Sequence, residues 1–135
     1  MNVHEIVAAV STGRASAVET VRAALDRIAQ AKALNAVVTI DTERTLAEAA
    51  TVDRRVQLGD NMPLAGVPVV VKDNIWVEGW RVTQGSRLFA DFVAPRDAIA
   101  VERLKKAGCM TPFDVAVDAE RDAMSRSSFA STEIV

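Results

Sequence analysis

Among the side chains that could do chemistry, Lys72 has the most unusual setting. It closes the run Val69-Val70-Val71-Lys72 and is followed by Asp73. Burying an unpaired ammonium is costly, so a lysine at the end of an apolar strand pairs, snorkels or sheds its proton. Without its proton it is a competent general base. Paired in solvent with Asp73 or Glu78, it is an ordinary surface cation, and the local pattern leaves both readings open. Gln84-Gly85-Ser86 is a second candidate, a glycine-containing turn carrying an amide and a hydroxyl. Trp76, Trp80 and Arg81 lie in the same stretch, and two close tryptophans more often pin a loop to a core than cage a ligand. Cys109 is the single cysteine and no histidine follows it, so it reads as a structural or incidental thiol. His4, on a short first helix, reads as a surface residue. Ser125-Arg126-Ser127-Ser128 has no glycine to let backbone N–H groups approach a substrate, and reads as a solvated end.

The composition excludes several other chemistries. One histidine and one cysteine cannot furnish a four-ligand zinc site, so no metal is expected. The single cysteine also forms no internal disulfide, which fits a reducing, cytoplasmic setting. Sixteen basic against 18 acidic residues, a net charge of −2, give no electrostatic reason to expect nucleic acid. The apolar runs fall far short of the ~20 residues that span a bilayer, and Met1 to Glu5 lacks a secretory pattern. With 135 residues, half of them apolar and a quarter charged, the chain has the makings of one globular domain.

The elements that must position these residues follow an α/β order. Val3, Ile6, Val7 and Val10 space a first helix that Gly13 can close. Ser16 and Glu19 form a capping box for a second, with Val21, Ala24, Leu25 and Ile28 on one face, running to about Lys32. Residues 36–40 are β-branched and strand-like. Asp41 caps a third helix with Leu46, Ala49, Ala50 and Val56 inward, ended by Gly59. The next strand is expected over 67–72, and Pro68 can sit only at its beginning or on an edge. Residues 74–95 form a long folded loop, of the kind that often carries function. Asp97 is expected to cap a fourth helix carrying Ile99, Val101 and Leu104 and ending at Gly108. Beyond Cys109 the pattern weakens: Phe113, Val115 and Val117 alternate as in a strand, 119–124 suits a helical turn, and 125–131 is serine-rich.

The run from Pro63 to Ile75, Pro-Leu-Ala-Gly-Val-Pro-Val-Val-Val-Lys-Asp-Asn-Ile, resembles the lysine-bearing strand of the amidase signature family. The spacing to Gly79 and Thr83-Gln84-Gly85-Ser86 is similar to that family, as are Ala98 to Gly108 and the helical pair over Gly13 to Leu25. The resemblance covers roughly residues 3–108, with the flavour of indoleacetamide hydrolase-like amidases and amidotransferase A subunits. It implies an α/β fold in which helices pack on part of a mixed sheet. It also implies a serine–cis-serine–lysine triad that hydrolyses small-molecule carboxylic amides without a cofactor. Lys72 matches the family lysine, which takes a proton from the bridging serine, and Val69, Val70 and Val71 are expected to desolvate it. Gln84, Gly85 and Ser86 match a loop near the active site and are expected to help bind substrate.

The chain departs from the family pattern after Gly108. Members are several times longer and carry both serines in a downstream Gly-Ser-Ser-Gly-Gly-Ser loop, which these 135 residues lack. Where the family continues into a Gly-Lys-Thr-Asn segment, Cys109-Met110-Thr111-Pro112 stands here. The expected organisation is a single partial amidase-like domain, 1–135, with 109–135 a divergent stretch. A frameshift or deletion near residue 109 would account for the break. The chain is then an N-terminal or truncated amidase, inactive alone. The alternatives are one half of a split amidase, paired with a complementing chain or with itself, and a non-enzymatic binding or assembly module.

Overall fold

The computed structural model of the chain describes residues 1–34 and 36–115. Helix α1 spans Val3–Ser11 and opens on a capping box, in which Asn2 accepts from Glu5 N–H and Glu5 accepts from Asn2 N–H. Helix α2 spans Ala17–Gln30 and opens on the expected Ser16–Glu19 box. Its first turn receives a second cap from outside, because Asp53 accepts from Ala17 N–H at 2.6 Å and from Val18 N–H at 3.3 Å. Asp53 lies on helix α3, Thr42–Gln57, whose own first turn is capped by Asp41 accepting from Arg44 N–H. A short 3₁₀ turn, Lys32–Leu34, follows α2.

The three strands are β1, Val37–Ile40, β2, Pro68–Lys72, and β3, Met110–Val115. Their order in the sheet is β1-β3-β2, with β3 antiparallel to β1 and parallel to β2. Pro68 occupies the first position of an edge strand, where its missing N–H costs no ladder bond. The residues after Cys109, where the sequence pattern weakens, therefore form the middle of the sheet.

Helix α4, Ile99–Lys106, departs from expectation at its start. Its N-cap is Ala98, which has no side chain able to cap. Asp97 does not cap the helix. It accepts from Glu78 N–H at 2.7 Å and from Lys105 Nζ at 2.9 Å, so its carboxylate is already engaged. Ile99, placed by spacing on the apolar face, is 70% exposed, while Val101 is buried. The expected helical turn at 119–124, the strand position Val117 and the serine-rich stretch all lie outside the described residues.

One core cluster joins Val10, Ala17, Val21, Ala49, Val52, Met62, Ala65 and Met110, sealing α1, α2 and α3 to the sheet. A second joins Val71, Val77, Trp80 and Val101, fixing β2, the long loop and α4. Backbone bonds then register the two strand approaches. Leu64 N–H reaches Ala107 O, Gly66 N–H reaches Gly108 O and Met110 N–H reaches Val67 O. Both glycines have positive φ, 76° and 92°. A Cβ on Gly66 would stand 2.6 Å from Val10 Cγ2, and one on Gly108 would stand 3.0 Å from the Ala65 backbone. Side chains are excluded there by conformation and by space.

Candidate active site

Lys72 is the last residue of β2, placed there by the parallel ladder to β3. Its neighbour Val71 turns into the second core cluster, and by the alternation of strand side chains Lys72 leaves it. Lys72 is exposed, and no hydrogen bond or ion pair of its side chain is found among the described residues, although its backbone carbonyl accepts from Ile75 N–H at 2.8 Å. Desolvation by Val69, Val70 and Val71 is thus not realised among those residues. The reason is topological: among the described residues β2 is an edge strand, and Val70 is itself 47% exposed. The alternative of an ion pair with Asp73 or Glu78 is not realised either.

Asp73 turns the opposite way. It is 4% exposed and holds the turn that contains the other candidate residues. Its carboxylate accepts from Thr83 N–H at 2.6 Å and, through its other oxygen, from the Thr83 hydroxyl. Its backbone carbonyl accepts from Gln84 N–H at 3.0 Å. Thr83 to Ser86 close as a tight turn, with Ser86 N–H donating to Thr83 O at 2.9 Å. The central residues Gln84 and Gly85 have φ of 54° and 67°, the left-handed pair of a type I′ turn. Glycine accepts that conformation freely, whereas Gln84 is strained in it. Ser86 Oγ accepts from Leu88 N–H at 3.2 Å and so caps the following short helical turn, Arg87–Phe89.

The fold therefore brings Lys72 and Gln84-Gly85-Ser86 to one end of β2, tied through residue 73. Sequence reasoning named Asp73 only as a partner for Lys72 and missed its bond to Thr83. No local pattern signals a contact ten residues apart across a loop.

The rest of the loop is held as a rigid frame. Val82 N–H donates to Phe92 O, and Gly79 and Ala94 bond across it, so 77–82 and 92–94 run side by side. Trp76 packs against Phe92 with ring centroids 5.4 Å apart. Arg44, reaching over from α3, donates to Glu78 O at 2.6 Å and lies 5.2 Å from the Trp80 ring centroid. Both tryptophans thus pin the loop, as expected, and Arg81 is exposed. Cys109 is buried, and burial pushes its thiol pKa above the ordinary 9.0, away from a reactive thiolate. His4 is exposed on α1. A cavity of about 840 Å³ lies elsewhere, between α2 and β1, lined by Leu25, Ile28, Val37 and Leu46 among others. None of the candidate residues lines it. Among the described residues no helix is long and apolar enough to cross a membrane.

The segment that holds this strand, the turn and the flanking helices matches known proteins in sequence and fold. The family model described as Amidase matches residues 19–113. The glutamyl-tRNA(Gln) amidotransferase A subunit of Cupriavidus necator is 43% identical over 110 residues, 82% of this chain and 22% of that protein. The protein of the same name from Ralstonia nicotianae is 47% identical over 96 residues, 71% of this chain and 19% of that one. Among solved structures, the native peptide amidase of Stenotrophomonas maltophilia superposes with a TM-score of 0.78 at 31% identity, covering 85% of this chain and 24% of that one. A chain from a vestigial complex related to an s-triazine catabolic enzyme gives a TM-score of 0.80 at 34% identity, covering 87% and 26%. The fold is a partial α/β unit of the amidase signature type. The chain belongs to the amidase family, and it spans about a fifth of the length of the relatives it matches.

Proposed function

We propose that this chain supplies the lysine of an amidase centre that cleaves the C–N bond of carboxylic amides. Lys72 is the base. In its neutral form it takes a proton from a bridging serine, which takes one from a nucleophilic serine as that oxygen attacks the amide carbonyl. Backbone N–H groups carry the oxyanion, which collapses as the C–N bond breaks and the proton returns from Lys72 through the bridging serine to the leaving amine. Water, deprotonated by the same relay, then hydrolyses the acyl-serine ester. Both serines and the oxyanion donors come from sequence beyond these 135 residues, in the same or another polypeptide. That added structure also covers the exposed end of β2 and supplies the desolvation a neutral lysine requires. Gln84, Gly85 and Ser86 form part of the wall around the substrate. The observation that carries this reading is the Lys72 side chain, exposed and without a partner among the described residues, at a strand end inside the family-matched segment. Several relatives are named as subunits of an amidotransferase, which supports a complementing chain as partner.

The test is ammonia release from simple carboxamides, measured for the chain alone and with the product of any adjacent reading frame. The chain alone gives no turnover above background, because positioned base help of ~10²–10⁴-fold has no nucleophile to act upon. The complemented form turns over, and Lys72→Ala abolishes it without altering the stability of the chain. Turnover by the isolated 135-residue protein that is lost on Lys72→Ala would overturn the division of the triad. A complemented activity indifferent to Lys72→Ala would overturn the role of the lysine.

A further inference from the structure

We propose that Asp73 is a positioning residue, which locks the Gln84-Gly85-Ser86 turn to the strand end that presents Lys72. The proposal rests on the amidase reading of Lys72 and deepens it. Three bonds join residue 73 to the turn: two from Thr83 to the carboxylate and one from Gln84 N–H to the backbone carbonyl. All three start one residue beyond Lys72, so the lysine and the turn share one anchor. Asp73 is 4% exposed, and a buried acceptor that satisfies both donors of one residue fixes direction as well as distance. The strain at Gln84 needs such an anchor, since a non-glycine residue with φ of 54° persists only where its surroundings over-determine it. The Thr83 hydroxyl extends the network into the turn, accepting from Gly85 N–H at 3.2 Å. Among the described residues the hydrogen bonds of its carboxylate go only to Thr83 of the turn, so its contribution is placement of the turn relative to Lys72.

Amide hydrogen exchange of the 135-residue chain, read residue by residue, tests this without any activity assay. Its outcome is therefore separable from that of the amidase reading. In Asp73→Ala, exchange at Thr83 and Gln84 accelerates about tenfold or more while amides of α2 and α3 keep their rates. Asp73→Asn retains an oxygen for Thr83 N–H and an N–H for its hydroxyl, and restores both rates to within about threefold of the parent. Rates at Thr83 and Gln84 unchanged in Asp73→Ala would overturn the proposal. So would an asparagine variant as fast as the alanine one. If Asp73→Ala fails to fold, Thr83→Val decides. It keeps the backbone donors and loses the hydroxyl bond to the Asp73 carboxylate. Exchange then speeds up at Gln84, whose N–H donates to the Asp73 carbonyl, if the proposal holds; unchanged exchange at Gln84 overturns it.

Discussion

Lys105 Nζ donates to both oxygens of the Asp97 carboxylate, at 2.9 Å each. The same carboxylate accepts from Glu78 N–H, so one acid near the start of α4 holds the far end of that helix and the long loop together. Asp97→Ala is expected to cost about 1–3 kcal/mol, since it leaves a partly buried ammonium and a backbone donor without their acceptor. Asp97→Asn keeps an oxygen for Glu78 N–H and costs less. Urea denaturation of both variants checks the order. Equal midpoints for parent and Asp97→Ala would contradict it.

Gly66→Ala is expected to destabilise the chain by about 2 kcal/mol or more. The added methyl meets Val10 Cγ2 at 2.6 Å, in a backbone conformation that alanine disfavours. Val10 is wedged in the first core cluster and cannot swing aside without opening it. Val10→Ala in the Gly66→Ala background relieves the clash while opening its own void. The double variant is therefore less destabilised than the sum of the two singles, and thermal unfolding of the four proteins measures the difference.

The outer edge of β2 pairs with no strand among the described residues, and Val70 on it is 47% exposed. Unpaired apolar strand edges recruit other chains. The purified protein is expected to show an apparent mass that rises with concentration across the micromolar range in sedimentation velocity. Val70→Lys should suppress the rise by placing a charge on the edge. A single monomer boundary at every concentration would remove this expectation.

Burial raises the Cys109 thiol pKa above the ordinary 9.0, so at a given pH less thiolate is present in the folded chain than in the unfolded one. Alkylation by iodoacetamide at pH 8 is expected to be much slower in buffer than in urea. Because the folded state favours the protonated thiol, its contribution to stability is fully present below about pH 9 and is lost as the pH rises through the folded value. A Cys109→Ser comparison of stability against pH isolates that loss from the titration of lysines.

What could be read from the sequence is what is decided locally. The Ser16–Glu19 box, the Asp41 cap and the edge position of Pro68 each depend on a few neighbouring residues, and each is as expected. Asp97 has the residue type and place of a cap, but partners eight and nineteen residues away claim it. Ile99 has helical spacing yet stands on the open side, because which side of α4 is covered depends on tertiary packing. The type and strand context of Lys72 were legible through resemblance. Its exposure was not, since that follows from β2 being outermost, and strand order is not written in any one strand. The same holds for Asp73, whose partner is set by how the loop returns.

The strand that divides β1 from β2 is the last of the three to be synthesised. Among the described residues neither outer strand pairs with the other, so these strands do not pair until Met110–Val115 has left the ribosome. Roughly 70 residues separate the end of β1 from that point, a wait of about 4–14 s at ordinary translation rates. Through that interval α2 and α3 can close on each other, held by the Asp53 contact, while both strands wait unpaired. Pausing or premature release before codon 110 leaves a helical hairpin with two bare strands, a nascent chain suited to chaperone capture rather than to partial function.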